Sequence, residues 1–311
     1  MEYITLRNSD LKVSRLCMGG CPMGGYGWGD VQEQELIDAV HTCLDSGINY
    51  FDTADTYGLG QSEKTLAKAL ENHRKDVVIQ TKFGVRRKDG KSFYDNSPEY
   101  IREACENSLR RLSTDYIDVY VIHYRDNVTP MDKVVEAMQQ LKEEGKIRYF
   151  GLSNIHCEGV SEMANWGGQF CNVQNEYSLA KRDFEHDLSE VCQRLDVSPL
   201  TWGSLGQGIL TGKYTRDSVF AENDRRSRDI YTNFHGKKLI KNLRIVEEMR
   251  PIAERHGVSV SSVAIRFILD HIKDSVVLFG AKRPAQVMSN MEASGWHLAP
   301  DELRLLDEVS R

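Results

Sequence analysis

The chain has 311 residues, 40% hydrophobic and 28% charged, which is ordinary globular composition with ample chain for a large core. A formal net charge of −6 argues against a nucleic-acid or membrane-surface binder. Seven cysteines, an odd number without a C-x-x-C pair, fit free thiols in a reducing cytoplasm, and Cys17 and Cys21 find no second cluster with which to hold zinc.

The start, MEYITLRNSDLK, is polar and lacks a signal-peptide core, and no apolar stretch reaches membrane-spanning length, so a cytoplasmic location is expected. YITL and KVSRL flank the turn residues RNSD and predict an N-terminal β-hairpin. LCMGG reads as the first barrel strand and INYFDTA as the second. Between them, DVQEQELIDAVHTCLDSG is helical. SEKTLAKALENH predicts a helix with Ser62 as its N-cap and Leu66, Ala69 and Leu70 on the buried face. VVIQTKF is a third strand. FGVRRKDGKSFYDNSP then reads as a long loop, and Ser-Pro opens the helix SPEYIREACENSLRRL. YIDVYVIH is a strand, and the helix after it stops at Gly145. IRYFGLSN, FCNVQNEY, PLTWGS and DSVVLFGA complete the strands. Helices are expected in DFEHDLSEVCQRL, KKLIKNLRIVEEMRPIAERHG, SVSSVAIRFILDH, RPAQVMSNM and APDELRLLDEV. Roughly seventy residues separate the last two strands, and loops of such length are usually lids or binding loops.

Eight mostly continuous apolar strands alternating with helices predict an α/β protein, a (β/α)8 TIM barrel spanning residues 1–311 as one domain, with a long loop after the seventh strand. The runner-up is a doubly wound open sheet, but GGCPMG is not the G-x-G-x-x-G that such a sheet expects after its first strand.

In a TIM barrel the C-terminal ends of all strands open onto one catalytic face. Here those ends carry Asp52, Lys82, His123, Ser153-Asn154, Gln174, Trp202 and Gly280-Ala281-Lys282. Singly, each reads more readily as a cap, a solvated charge or a strand-end residue. Together at one mouth, directly after runs as apolar as VVIQT and VYVI, they read as an active site. A tyrosine beside a lysine, such as Tyr57, can act as a general acid, because an ammonium lowers a phenol's pKa from its usual ~10. The aspartate would hold that lysine, and the histidine would bond a carbonyl oxygen or relay its proton. There is no obvious nucleophile and no H-x-H or H-E-x-x-H spacing, so proton delivery to a carbonyl calls for a hydride-supplying cofactor.

These residues resemble the aldo-keto reductases over nearly the whole chain. GINYFDTADTYGLGQSE, TKFG, YIDVYVIHYRD, EEGKIRYFGLSN, VQNEYS, GQGILTGKY and GAKRPAQVMSN are similar to that family's segments, in order. The resemblance is closer to the bacterial oxidoreductases and potassium-channel β subunits than to aldose reductase. It implies reduction of an aldehyde or ketone, such as a sugar or other small polar carbonyl, using NADPH, with NADH possible. Tyr57, Lys82, Asp52 and His123 would be catalytic. Ser153, Asn154 and Gln174 would hold the nicotinamide carboxamide, and Trp202 would stack on its ring. Gly20 and Cys21 would also contact the cofactor. Gly203, Ser204, Leu205, Gly206 and Gln207 would line the pyrophosphate path, with Lys213 and Arg226 on a belt above it. Gly280, Lys282, Gln286 and Asn290 would hold the adenosine half, and Lys282 suits a 2′-phosphate. WGSLGQG in place of YSPLAQG, Phe279 in place of a proline and Ser289 in place of a glutamate depart from the pattern at the cofactor, not at the catalytic four.

Tyr26, Trp28, Tyr94, Tyr124 and Arg125 are candidates for the substrate pocket, and Arg125 points to a polar or anionic substrate. Two other function classes compete. One is a slow NADPH-binding regulatory subunit. The other is a Schiff-base lyase working through Lys82, which leaves Tyr57 and Trp202 unexplained.

Overall fold

The computed structural model describes residues 1–25 and 27–311. Its hairpin, β1 (Tyr3–Thr5) and β2 (Lys12–Ser14), is antiparallel as expected. There follow β3 (Leu16–Gly19), α1 (Glu33–Asp45), β4 (Tyr50–Asp52), α2 (Gln61–Leu70), β5 (Val78–Phe83), β6 (Val85–Lys88), β7 (Lys91–Tyr94), α3 (Pro98–Leu112), β8 (Ile117–Ile122), α4 (Met131–Glu143) and β9 (Ile147–Ser153). The rest comprises α5 (Cys157–Met163), β10 (Phe170–Glu176), α6 (Glu185–Leu195), β11 (Ser198–Trp202), α7 (Gly236–His256), α8 (Val260–His271), β12 (Val276–Gly280), α9 (Pro284–Met291) and α10 (Pro300–Ser310).

Eight parallel strands close into a barrel in the order β3-β4-β5-β8-β9-β10-β11-β12, the (β/α)8 architecture expected. β5 and β8 are buried along their whole length, because the barrel interior takes one face and the helices take the other. The outward side chains pack on the helices in one large apolar cluster. The inward ones, among them Cys17, Tyr50, Val119, Val121, Cys171 and Leu200, form a second cluster that Leu6, Leu11 and Val13 of the hairpin join. The hairpin lies across the N-terminal ends of the strands. Arg7 N donates to Ser198 Oγ, and Asn8 Nδ2 to Phe170 O, both at 2.9 Å. That leaves the C-terminal end as the open mouth.

Three local expectations need correction. Ser62 is not an N-cap: α2 begins at Gln61, and the Ser62 hydroxyl donates instead to Gly20 O at 2.7 Å, tying α2 to the end of β3. The supposed loop after β5 contains the hairpin β6–β7, turning at Asp89-Gly90 with both residues in the left-handed region. α5, between β9 and β10, was not foreseen. The long segment after β11 is built from short 3-10 turns at Gly206–Thr211, Arg225–Ser227 and Thr232–Phe234 before α7 begins. The seven cysteines are all free thiols. Among the described residues no helix is long and apolar enough to cross a membrane.

Candidate active site

β4 and β5 are neighbours in the barrel, with Asp52 in register with Gln80. Alternation along β5 puts Lys82 on the same inward side as Gln80, so its ammonium meets the end of β4. Lys82 Nζ donates to Asp52 Oδ1 at 2.6 Å, to Thr53 O at 2.9 Å and to Tyr57 Oη at 3.4 Å. Three donors meet three acceptors, and the lysine is wholly buried. Tyr57 reaches this point from the turn after β4. That turn closes at Gly58, whose φ is +62° and where a Cβ would lie 2.1 Å from Gly24 O, so only glycine fits.

The backbone of His123 continues β8, its N–H donating to Phe83 O at 2.9 Å. Its ring stands edge-on to Tyr57 with centroids 6.1 Å apart. Burial, and then the Lys82 charge, hold its pKa well below the usual imidazole range, so the ring is neutral. Its Nδ1 is buried without a hydrogen-bond partner. The Tyr57 phenol departs from expectation. Burial first, and then the charge of Asp52, push its pKa well above the ordinary value rather than below it. With Asp52 beside the ammonium, the phenol keeps its proton.

Asp52 is also fixed from across the barrel. Its Oδ2 accepts from Gln80 Nε2 at 2.7 Å and from Gln174 Nε2 at 2.9 Å, and Gln174 lies on β10, diametrically opposite β4. Below it, Gln80 Oε1 accepts from Tyr50 Oη and from Asn172 Nδ2, each at 2.7 Å. Sequence reasoning missed Tyr50, Gln80 and Asn172, which sit in runs that read simply as apolar strands. Their inward parity with Asp52 and Gln174 was the available signal. It also missed Glu176, a largely buried carboxylate that accepts from Gln207 Nε2 at 3.3 Å and whose pKa burial raises.

The remaining expected residues fall along one arc of the mouth. Ser153 Oγ donates to Gln174 O at 3.0 Å, and Asn154 Nδ2 to His123 O at 3.1 Å. Gly20 is buried against β4, its N–H donating to Asp52 O at 2.6 Å, and Cys21 is half-buried beside Tyr57. Trp202 is half-buried at the end of β11. After it, Gly203 and Gly206 adopt left-handed φ of +67° and +56°, and a Cβ at Gly206 would come within 3.0 Å of Ala180. Ser204 is buried on Thr201, Leu205 packs against the core, and Gln207 bonds Asn233. Gly280 is exposed at the end of β12, Gln286 Oε1 accepts from Lys282 N at 2.7 Å, and Asn290 is buried. Lys282 Nζ donates to Trp28 O at 2.7 Å. Partial burial, then Arg226, with Arg283 and Lys213 adding to it, lower the Lys282 pKa. A convergence of four cations, with Asp224 as the opposing charge, suits a phosphate-bearing ligand. A glycine turn leading from a flat indole toward these cations suits the body of a dinucleotide. Arg226 is bound to Asp224 and to the Tyr214 hydroxyl, which holds the belt in place.

Tyr26 lies outside the described residues. Tyr94 stacks on Tyr124 and Tyr124 on His123, both with centroids 4.9 Å apart, so a ladder of rings runs from the exposed hairpin to the mouth. Trp28 is engaged with the belt, bridging Asp224 and lying under the Arg225 guanidinium. Arg125 departs from its expected role as an anion reader. It is buried, with Nη2 donating to Glu162 Oε1 and Thr129 O at 2.7 Å, Nη1 to Asn96 Oδ1 at 2.5 Å and Nε to Glu162 Oε2 at 3.2 Å. Its donors staple the loop after β8.

A family model described as the aldo/keto reductase family matches residues 15–311. An NADH-specific methylglyoxal reductase of Escherichia coli is 32% identical, over 100% of this chain and 98% of its own. The solved glycerol dehydrogenase AKR11B4 of Gluconobacter oxydans superposes with a TM-score of 0.88 at 32% identity, over 99% and 94% of the two chains. An aldo-keto reductase of Klebsiella pneumoniae, solved in complex with NADPH, gives 0.77 at 26% identity, over 100% and 96%.

Proposed function

The chain belongs to the aldo/keto reductase family, and from that premise we propose that it reduces an aldehyde or ketone to an alcohol with NADPH, residues 1–311 working as one domain. The observation that carries this is the buried Asp52–Lys82–Tyr57 chain beside a neutral His123. When bound, the nicotinamide supplies the hydride. Tyr57, protonated, donates its phenolic hydrogen to the carbonyl oxygen as negative charge grows there. The Lys82 ammonium, 3.4 Å away, offsets the charge left on the phenolate. Asp52 holds that ammonium in place. His123 adds a second donor to the oxygen, and such a positioned donor contributes ~3 kcal/mol to a transition state. Ser153, Asn154 and Gln174 would hold the carboxamide, Asn154 through its Oδ1 because both its Nδ2 hydrogens are taken by His123 O and Ser153 Oγ, and Trp202 would supply a flat face for the ring.

Lys282, with Lys213 and Arg226 nearby, supports a 2′-phosphate and hence NADPH. The relative that is NADH-specific makes NADH the competing cofactor. The Tyr94–Tyr124 ladder favours small carbonyls that carry a flat or ring-shaped face. Attack by Lys82 on a carbonyl is disfavoured, because its nitrogen is committed to three oxygens and has no lone pair while charged.

The test is Tyr57→Phe. Followed by NADPH absorbance over a panel of sugars, aldehydes and ketones, turnover is expected to drop at least ~100-fold, as loss of a general acid should. NADPH affinity, read by fluorescence titration, is expected to stay within ~3-fold of the parent, since only one hydroxyl is removed. Undiminished turnover would defeat the mechanism. Tight NADPH binding by a parent protein that turns over none of the panel would favour a regulatory subunit.

A further inference from the structure

Outside the mouth, a second group of reactive side chains lies where α5 meets α6. Cys157 opens α5, while His186, Asp187 and Glu190 lie on the first two turns of α6. One ligand atom each from Cys157, His186 and Asp187 lie within 4.8 Å of one another. Glu190 Oε2 is 3.3 Å from Cys157 Sγ and 3.5 Å from His186 Nδ1, the i,i+4 spacing bringing both α6 side chains to one face. Arg194 sits 3.4 Å from the other oxygen, Oε1, leaving Oε2 to the thiol and the imidazole. His156 borders the group, with Nδ1 3.3 Å from Asp187 Oδ2 yet without a hydrogen bond.

We propose that Cys157, His186, Asp187 and Glu190 form a binding site for a zinc-class divalent cation, clamping the N-terminal ends of α5 and α6. Bond lengths of ~2.0–2.3 Å to sulfur, nitrogen and oxygen put tetrahedral zinc ligands ~3.3–3.8 Å apart. The two separations at Glu190 fall at that spacing without a cation present. One thiolate, one imidazole and two carboxylates carry a charge of −3 and mix soft and hard donors, which selects zinc or cobalt over calcium and magnesium. Thiolate coordination displaces one proton from sulfur as the ion binds.

A second cluster, Glu185, His271 and Asp307, makes a useful contrast. Its carboxylates already pair with Arg182 and Arg311, so a cation there would have to displace two guanidinium groups. At Cys157 the only guanidinium described as an ion-pair partner is that of Arg194, and it holds the outer oxygen.

The site rests on geometry separate from the catalytic mouth, so its test is read without turnover. The full chain, stripped with chelator, is titrated with Co²⁺ and the thiolate-to-cobalt absorption band recorded. The expected result is a band saturating at one ion per chain, absent in Cys157→Ser, retained in Cys21→Ser and weakened at least ~10-fold in affinity by His186→Ala or Asp187→Asn, as loss of one of four ligands should. Zn²⁺ should displace Co²⁺ and raise the melting temperature of the parent but not of His186→Ala. His186 is largely exposed, so its loss leaves the fold intact. No band, a band that survives Cys157→Ser, or equal affinity in His186→Ala would overturn the site.

Discussion

Asp52 and Asp55 stand three residues apart in FDTADTYG and end in opposite electrostatic states. Asp52 shares its charge with Lys82. Asp55, read from the sequence as a loop former, is half-buried, with Oδ1 buried and unpartnered and the Tyr100 hydroxyl, at 3.2 Å, bonded to Oδ2. Burial, and then the nearby Glu63, push its pKa up to about 7. Between the ordinary carboxylate value of 3.8 and about 7, the folded protein therefore binds more protons than the unfolded chain, and stability falls as pH rises through that window. Asp55→Asn keeps the uncharged form at every pH. Urea midpoints measured from pH 4 to 8 are expected to decline less for this variant than for the parent, and parallel profiles would refute the assignment. At this scale the sequence disclosed which groups meet, through strand-end positions. It did not disclose their protonation. Whether Tyr57 has a raised or lowered pKa depends first on how deeply the phenol is buried and then on how far Asp52 cancels the lysine, and no spacing rule contains either.

Among elements, the belt after β11 is tied to the loop before α1. Lys282 at the start of the α9 segment holds the Trp28 carbonyl, and Trp28 bridges Asp224, to which Arg226 is paired. Lys282 therefore tethers the loop before α1, and the function proposed above gives it a phosphate to attract as well. Lys282→Ala is expected to weaken NADPH by at least ~10-fold more than NADH, a charge-assisted contact being lost with only one of them. If both weaken equally, the lysine serves the tether alone. The long helices were readable because their apolar stripes persist for several turns. α5 was not, since seven residues with a central Gly159 give hardly two turns of pattern. β6–β7 escaped because its side chains are charged or exposed on both faces, so no alternation marks it. The Asp89-Gly90 pair was its one legible trace.

For the whole molecule, the barrel was legible because its strands are buried on both faces and read as unbroken apolar runs. What closes it at the bottom was not, because that depends on charges far apart in the chain. Arg266 is wholly buried on α8, with Nη1 donating to Glu2 Oε1 at 2.6 Å and Nη2 to Asp270 Oδ1 at 2.8 Å. Glu2→Ala leaves this guanidinium one carboxylate short. With Asp270 still in place, the loss is expected to be about 2 kcal/mol, below the 3–5 of a fully broken buried pair. Urea unfolding measures it, and a change under ~0.5 kcal/mol, as at an ordinary surface site, would show that the hairpin is not anchored there. The bond from Gln174 to Asp52 has a consequence of its own. A proton donor is usually thought of as a local arrangement that survives while its own neighbourhood does. Here the carboxylate that holds the lysine beside Tyr57 is gripped from the far wall of the cylinder, so a chain whose sixth barrel strand has not yet docked lacks one of the carboxylate's three side-chain bonds. If Tyr57 is the proton donor proposed above, turnover counts completed rings, and the protein's chemistry becomes a gauge of topological closure.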